Sequence, residues 1–452
     1  MGKFLVDLLQ SIHAPDTVIS ISIGIVRMSF SGRAGSNLRT TFLSLRSRNF
    51  RLFFIGHLIS NTGNWLTNVA LTLLVLSLTD NGLAVGILAA CQYGPVLFLS
   101  TWAGAIADRS DKRRFLFVTQ ALSMLQSFGL AFLAFLPNPP LPALYLLAIL
   151  GGILLSFDNP VRRSFVPEMV REEDIANAVV LTSLVVNTSR IFGPTLAGLL
   201  IVTMGYGWCF AIDGVSYIAV IVCLVMMRPS ELRRRAPKPR ANGEIREGIE
   251  YLRSIPTLWI PMVMLGAIGI LAYNFTVTLP LFVTGALQSN DATFTLLYAT
   301  YSFGSVVAAL IVANRGLVSI RTIVIGAVLL GICMLALGSV PPVHLAFPIM
   351  LLLGGASILY MTSTTANVQV IARPDMHGRI LAIQSSLMIG GTLIGAPILG
   401  GLAELFGTRT PILLGGMVCL TAATFGALTL RSRAPEAMER QHGQSQPTGH
   451  LS

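Results

Sequence analysis

Arg190 is the single charge in the stretch 177–204, three residues before Gly193-Pro194. A guanidinium in so apolar a setting is costly unless it faces a carboxylate, an aqueous cavity or an anionic ligand. It therefore reads either as an anion ligand or as one partner of a structural ion pair. Four other ionisable residues interrupt apolar stretches: His57, Asp158, Asp213 and Glu404. Asp213, His57 and Glu404 are candidate proton sites, since each can gain or lose a proton during a working cycle. The competing roles are interfacial solvation for Asp213 and Glu404, and packing for His57. Asp158 reads as the end of an apolar segment, beside Arg162 and Arg163, where a local gate or salt bridge is expected. Asn61, Asn64 or Trp65, and Asn68 recur at helical spacing, which puts them on one face. That face either lines a cavity or hydrogen-bonds a neighbouring helix. Tyr273, Asn274, Asn367 and Gln369 are weaker candidates of the same kind.

None of this is catalytic machinery. The chain has no HExxH, no GxSxG elbow, no metal-spaced His cluster and no Walker loop. No enzyme activity, cofactor or metal is expected. Cys91, Cys209, Cys223, Cys333 and Cys419 all lie in apolar segments without CxxC spacing, and read as packing residues.

The elements that must position these residues follow from composition. Of 452 residues only 11% are charged and 53% are hydrophobic, with a mean hydropathy of +0.73. A soluble domain carries about 25% charged residues, so lipid must be the solvent. Apolar segments long enough to span fall near 52–77, 83–107, 115–136, 141–161, 177–204, 208–227, 257–283, 293–313, 322–340, 345–368, 380–405 and 410–430. In lipid every backbone N–H and C=O must be satisfied within the segment, so these twelve spans are helices. The fold class is an all-α membrane protein with twelve transmembrane helices.

Net charge is +11. The distribution argues against nucleic acid. Of 31 Lys and Arg, all but Arg190 and Arg409 fall in the termini and alternate loops. By the positive-inside rule both termini and the longest loop are cytoplasmic. Residues 1–45 read as a cytoplasmic tail, with Met28 as an alternative start, and 431–452 as a second tail. The loop 228–256 divides two six-helix halves, 46–227 and 257–430. It contains Glu244–Ser254, where Ile245, Ile249 and Leu252 at helical spacing predict a short amphipathic helix on the cytoplasmic or membrane surface.

The halves share an ordered series. Asn159, Pro167-Glu168, Gly193-Pro194 and Gly198 correspond to Asn367, Pro374-Asp375, Gly395-Ala396-Pro397 and Gly400. Such an ordered set suggests duplication of a six-helix unit.

Between spans two and three stands Gly104-Ala-Ile-Ala-Asp108-Arg109-Ser-Asp111-Lys112-Arg113-Arg114. This resembles the major facilitator superfamily signature G-x-x-x-D-R-x-x-R/K-R/K. The run Asp158-Asn159-Pro160-Val-Arg162-Arg163 to Pro167-Glu168, then Arg190 to Gly198, is similar to the branch holding the enterobactin exporter and macrolide efflux pumps. Asn49–Trp65 and Gly395–Gly407 carry the same likeness, which covers roughly 45–430. Asp111 stands where many members have glycine. The resemblance implies a two-half fold and a gate formed by Gly104, Asp108, Arg109, Lys112, Arg113 and Arg114. In that gate Asp108 faces the start of span eleven near Gly378-Arg379. Asp158, Arg162, Arg163 and Arg379 are further cytoplasmic gate candidates. Asn61, Asn64, Trp65, Asn68, Arg190, Gly193 and Pro194 are the candidate pathway residues.

The implied activity is export of a small amphiphilic molecule across a bacterial cytoplasmic membrane by a monomeric, proton-coupled antiporter. Its partners are then the small-molecule substrate, the coupling proton and membrane lipid. Lipid or lysolipid translocation, and ligand sensing without transport, are the alternatives.

Overall fold

A computed structural model describes residues 43–233, 244–315, 320–339, 342–373 and 375–444. Most of the expected N-terminal tail, residues 1–42, lies outside the described residues. Fourteen α-helices are labelled here in chain order. The first six are α1 (Arg48–Thr79), α2 (Gly82–Arg109), α3 (Lys112–Ala134), α4 (Leu141–Met169), α5 (Ile175–Met204) and α6 (Tyr206–Met226). After α7 (Glu244–Ser254) come α8 (Pro256–Leu271), α9 (Phe275–Leu281), α10 (Asp291–Arg315) and α11 (Ile320–Gly338). The last are α12 (Val343–Ile371), α13 (His377–Phe406) and α14 (Thr410–Gln444). No strand occurs among the described residues.

Eleven of the segments are long and apolar enough to cross a membrane. α1 is 32 residues long, yet its asparagines and His57 dilute its apolar content, so it falls outside that group. It packs inside the bundle against α5 and α6 all the same. Lipid-facing and bundle-facing helices need not be equally apolar.

The seventh span is broken, where the sequence predicts one continuous helix. α8 ends at Leu271 and α9 starts at Phe275. Asn274 explains how the break is tolerated: its Nδ2 donates to the freed carbonyls of Gly269 (3.3 Å) and Ile270 (2.8 Å). Two other boundaries differ from expectation. α4 runs through Pro160 and Pro167 to Met169, about two turns past the predicted end. α14 continues to Gln444, because residues 434–444 are rich in good helix formers.

Packing divides the helices into two sets. α2 meets α4, α3 meets α4 and α6, and α1 meets α5 and α6. In the second set α10 meets α12, α11 meets α12 and α14, and α8 meets α13 and α14. The sets join along α2–α13 and α5–α10. Two short glycine turns, of one residue (Gly205) and of three (407–409), stand at equivalent places in the halves. Gly205 between α5 and α6, and Gly407 before α14, both take φ +90°, a conformation L side chains rarely adopt.

The end of the bundle carrying the Lys/Arg-rich loops is called the basic end, and the opposite one the far end. Close approach of α2 and α13 is concentrated at the far end. A Cβ on Gly86 would lie 2.7 Å from Pro397 Cα, and Gly82 and Gly400 meet backbone to backbone.

α7 forms where predicted. It docks on the start of α13 and the segment before it. Glu247 pairs with Arg379 at 2.6 Å, and Tyr251 Oη accepts from the Arg373 N–H at 3.0 Å. Leu252 is buried.

Candidate functional site

Arg190 lies midway along α5, at the boundary between the two helix sets. Pro194 has no N–H, so the Arg190 carbonyl loses its helical partner. Ser302 of α10 replaces it, its Oγ donating at 3.3 Å. Gly193 is buried against Trp65 of α1, whose Cβ occupies the space a side chain would need. The close approach brings Arg190 Cζ to 5.9 Å from the Trp65 ring, a cation–π contact. Trp65 in turn meets Tyr298 (6.2 Å between centroids), and Tyr298 meets Tyr301 (5.9 Å). The Tyr301 hydroxyl donates to Ser357 Oγ at 2.7 Å. Arg190 Nε is buried without a hydrogen-bond partner. A cation with an open donor among aromatic faces is suited to an anion bearing a planar or apolar body.

A second polar region lies wholly within the first helix set. A cavity of about 170 Å³ is lined by Asn61, Asn64, Thr67 and Asn68 of α1, and by polar residues of α2, α3, α4 and α6. Asp213 and Asp158 both reach it. Asn64 accepts from the Tyr217 hydroxyl at 2.7 Å. The expected single face of α1 is therefore split. Its asparagines turn to this cavity, while Trp65, one residue round from Asn64, points to Arg190.

The structure corrects two placements. Asp213 is not interfacial: it sits two turns inside α6 and is 1% exposed. It accepts from Thr67 Oγ1 (2.7 Å), Ser127 Oγ (2.6 Å) and Ser216 Oγ (3.3 Å). Asp158 does not end its helix. It is buried within α4, pairs with Arg162 (2.5 Å), and accepts from Thr119 (3.0 Å) and Gln120 (2.7 Å). Hydropathy falls at the charged run, which mimics a span end. Buried partners keep the run inside the bundle instead. Arg162 also reaches His57 Nδ1 at 3.1 Å. An arginine only donates, so Nδ1 accepts and the ring hydrogen sits on Nε2.

The signature loop works mostly within its own helix set. Lys112 pairs with Glu168 at 2.5 Å. Arg113 donates to the carbonyls of Leu224 (2.7 Å) and Val225 (3.2 Å) at the end of α6, where a cation complements the helix dipole. Asp111 caps α3, accepting from the Arg114 N–H at 3.1 Å. Gly104 is buried in α2, and Arg109, Arg114 and Arg163 are exposed. The side chain of Asp108 lies outside the described residues, and with it the expected approach to Gly378-Arg379. The Lys112–Glu168 pair is largely buried yet near the bundle end, between the exposed and buried regimes of ion pairs. Lys112→Ala should therefore cost about 1–2 kcal/mol. The readout is the unfolding midpoint of purified protein in detergent, with Glu168→Gln as the matching variant.

At the far end, Glu404 Oε2 accepts from the Gly82 N–H at 3.3 Å, at the start of α2. The Tyr206 hydroxyl donates to Asp291 Oδ2 at 2.7 Å, joining α6 to α10. Nothing in the sequence pattern singles out Tyr206, Asp291, Ser302 or Glu247. Tyr206 and Asp291 open apolar spans, where a polar residue is ordinary. Only the fold shows that they face each other.

Residues 39–450 match the family model described as transmembrane secretion effector. The staphyloferrin A transporter of Staphylococcus aureus is 25% identical, over 82% of this chain and 94% of its own length. The enterobactin exporter EntS of Salmonella typhimurium is 26% identical, over 80% of this chain and 87% of its own. Among solved structures, a bacterial homolog of the human lysosomal transporter Spinster, inward-facing and unoccupied, superposes with a TM-score of 0.68 at 14% identity. It covers 86% of this chain and 97% of its own. A D-xylose–proton symporter gives 0.62 at 16% identity, with 86% and 97% covered. This multi-span membrane chain is thus a carrier rather than an enzyme, and it belongs to the transmembrane secretion effector family of the major facilitator superfamily.

Proposed function

We propose that the chain is a proton-coupled exporter of a small amphiphilic anion, working by alternating access in a bacterial cytoplasmic membrane. Arg190 carries this reading: a buried guanidinium edge without a partner, set among aromatic rings between the helix sets. The names of the relatives point the same way, since one transports staphyloferrin A and the other exports enterobactin. A drug or another secondary metabolite of similar charge and shape fits the same site.

The basic end is assigned to the cytoplasm by the positive-inside rule, with both termini there. The two halves are 46–227 and 257–430, joined by the cytoplasmic segment 228–256 that carries α7. The far-end contacts of Gly82, Gly86, Tyr206 and Glu404 then close the periplasmic side. A closed periplasmic side is the arrangement in which a carrier of this kind loads substrate from the cytoplasm. Rocking the halves about Arg190 would expose the same groups to the outside. Gly104, Asp108 and Arg109 serve as the cytoplasmic gate of the outward-facing state, with Lys112 and Arg113 holding that loop to α4 and α6. A monomer suffices for this cycle.

The test is flux in proteoliposomes of purified protein. Catecholate and carboxylate siderophores, macrolides, cationic dyes and lysolipids are offered with and without an imposed proton gradient. Gradient-driven movement of the anionic class is the expected result. Movement of lysolipids alone would identify a lipid translocator. Tight binding without flux of any compound would identify a sensor.

A further inference from the structure

Asp213 is a buried carboxylate inside a membrane bundle, and no Lys, Arg or His forms an ion pair with it among the described residues. Its supports are three hydroxyls, from Thr67, Ser127 and Ser216. Hydroxyls can donate to an ionised carboxylate, and one can turn to accept from a protonated one. The site therefore tolerates either protonation state without moving a helix. Isolated charge is expensive here, so a neutralising ion has to come from outside the side chains.

The other groups around the cavity are already engaged. Asp158 of α4 is neutralised by Arg162, which also occupies His57 of α1. Tyr217 of α6 donates to Asn64. α2 presents Gln92 and Tyr93, and α3 presents Gln120, Ser123 and Gln126, all uncharged. Asp213 alone is left with a charge to balance.

The space between Asp213 and Asp158 is built for water. Gln120 is 2% exposed. Its Nε2 holds Asp158, while its Oε1 has no partner. Asn61 Nδ2 is likewise buried and unmatched. Buried polar atoms without protein partners, around a polar cavity of about 170 Å³, call for several ordered waters. A metal cation fits less well. Asp213 Oδ1 is pressed against the Gly63 backbone, so that a Cβ there would collide with it. The three hydroxyls point their hydrogens at the carboxylate.

We propose that Asp213 is the protonation site coupling this carrier to the proton gradient, reached through a hydrated cavity inside the first half and separate from the boundary site of Arg190. The assignment rests on the proton-coupled reading above. The two sites are adjacent, since Tyr93 lines the cavity, reaches Asn68 and lies in the field of Arg190.

Infrared titration of the purified full chain in nanodiscs tests it. Of the protonated-carboxyl C=O bands that appear on acidification, one should remain in Asp158→Asn and vanish in Asp213→Asn. Should Asp213→Asn fold poorly, Ser127→Ala keeps the carboxyl and removes one hydroxyl, so the band should shift in frequency. An unchanged set of bands in Asp213→Asn, or no shifted band in Ser127→Ala, overturns the assignment. So does sodium-dependent thermal stabilisation that requires Asp213. Gradient-driven flux retained by Asp213→Asn also overturns it. Wild-type flux indifferent to the gradient, with the band intact, defeats the proton-coupled reading instead, so the two failures are distinguishable.

Discussion

Arg190→Ala should weaken binding of an anionic substrate roughly ten- to a hundredfold, the effect of losing about 1.5–3 kcal/mol of charge-assisted hydrogen bonding. The effect comes from an asymmetry. Arg190 Nε is buried and unmatched in this conformation, so the free protein carries a desolvated donor that a ligand can satisfy. Trp65, with its ring centroid 5.9 Å from the guanidinium carbon, limits its motion and reduces the ordering cost on binding. Arg190→Lys keeps the charge but not the planar fork, and should fall between wild type and alanine. Affinity is read by titrating intrinsic tryptophan fluorescence, because Trp65 is part of the site. Unchanged affinity in Arg190→Ala, with a lowered unfolding midpoint, would make the arginine a structural element of the α1–α5–α10 junction. Ser302→Ala separates the two roles from another side. It removes the donor to the Arg190 carbonyl without touching the guanidinium, so it should affect stability more than binding.

The spans were legible because lipid imposes a simple requirement: about 20 apolar residues with internally satisfied backbone. Arg190 and Asp213 were legible as candidates for the same reason, since charge in such a stretch needs a cause. Hydropathy is an average, however, and does not say which way a residue faces. It placed Asp213 at an interface and ended α4 at Asp158, although partners from α1 and α3 hold both inside the bundle. The break in the seventh span was hidden because Asn274 repairs it locally, leaving the apolar run intact. Helical spacing put Asn61, Asn64 and Asn68 on one face correctly. It did not separate Trp65, because three and four residues are both near one turn and only packing decides between them. The far-end pairs were illegible. Tyr206 and Asp291 are 85 positions apart, and Glu404 is 322 positions from Gly82.

Those far-end pairs set the second large effect. Tyr206→Phe combined with Glu404→Gln should shift the conformational equilibrium toward opening at that end by about 2–3 kcal/mol, roughly 30- to 150-fold. The Tyr206–Asp291 bond at 2.7 Å has an acidic acceptor and joins the two halves directly. Bonds to charged groups contribute more than neutral ones. Glu404 adds less. Its contact with the Gly82 N–H is longer and the side chain is exposed, though it sits at a helix N-terminus where an anion is favoured. Neither bond can survive separation of the halves, so both act only on the closed state, which is the condition for shifting a population. Spin labels at Asp80 and Phe406, both exposed at that end, would report the change as a longer distance population in the double variant. The two single variants complete a double-mutant cycle. Because the pairs sit on different helix contacts, α6–α10 and α2–α13, near-additive shifts indicate that the halves move as rigid units. An unchanged distance distribution would show that packing of Gly82 and Gly86 on Gly400 and Ala396 holds the end shut. In that case Gly86→Leu, which cannot fit against Pro397, should open it where the polar variants do not.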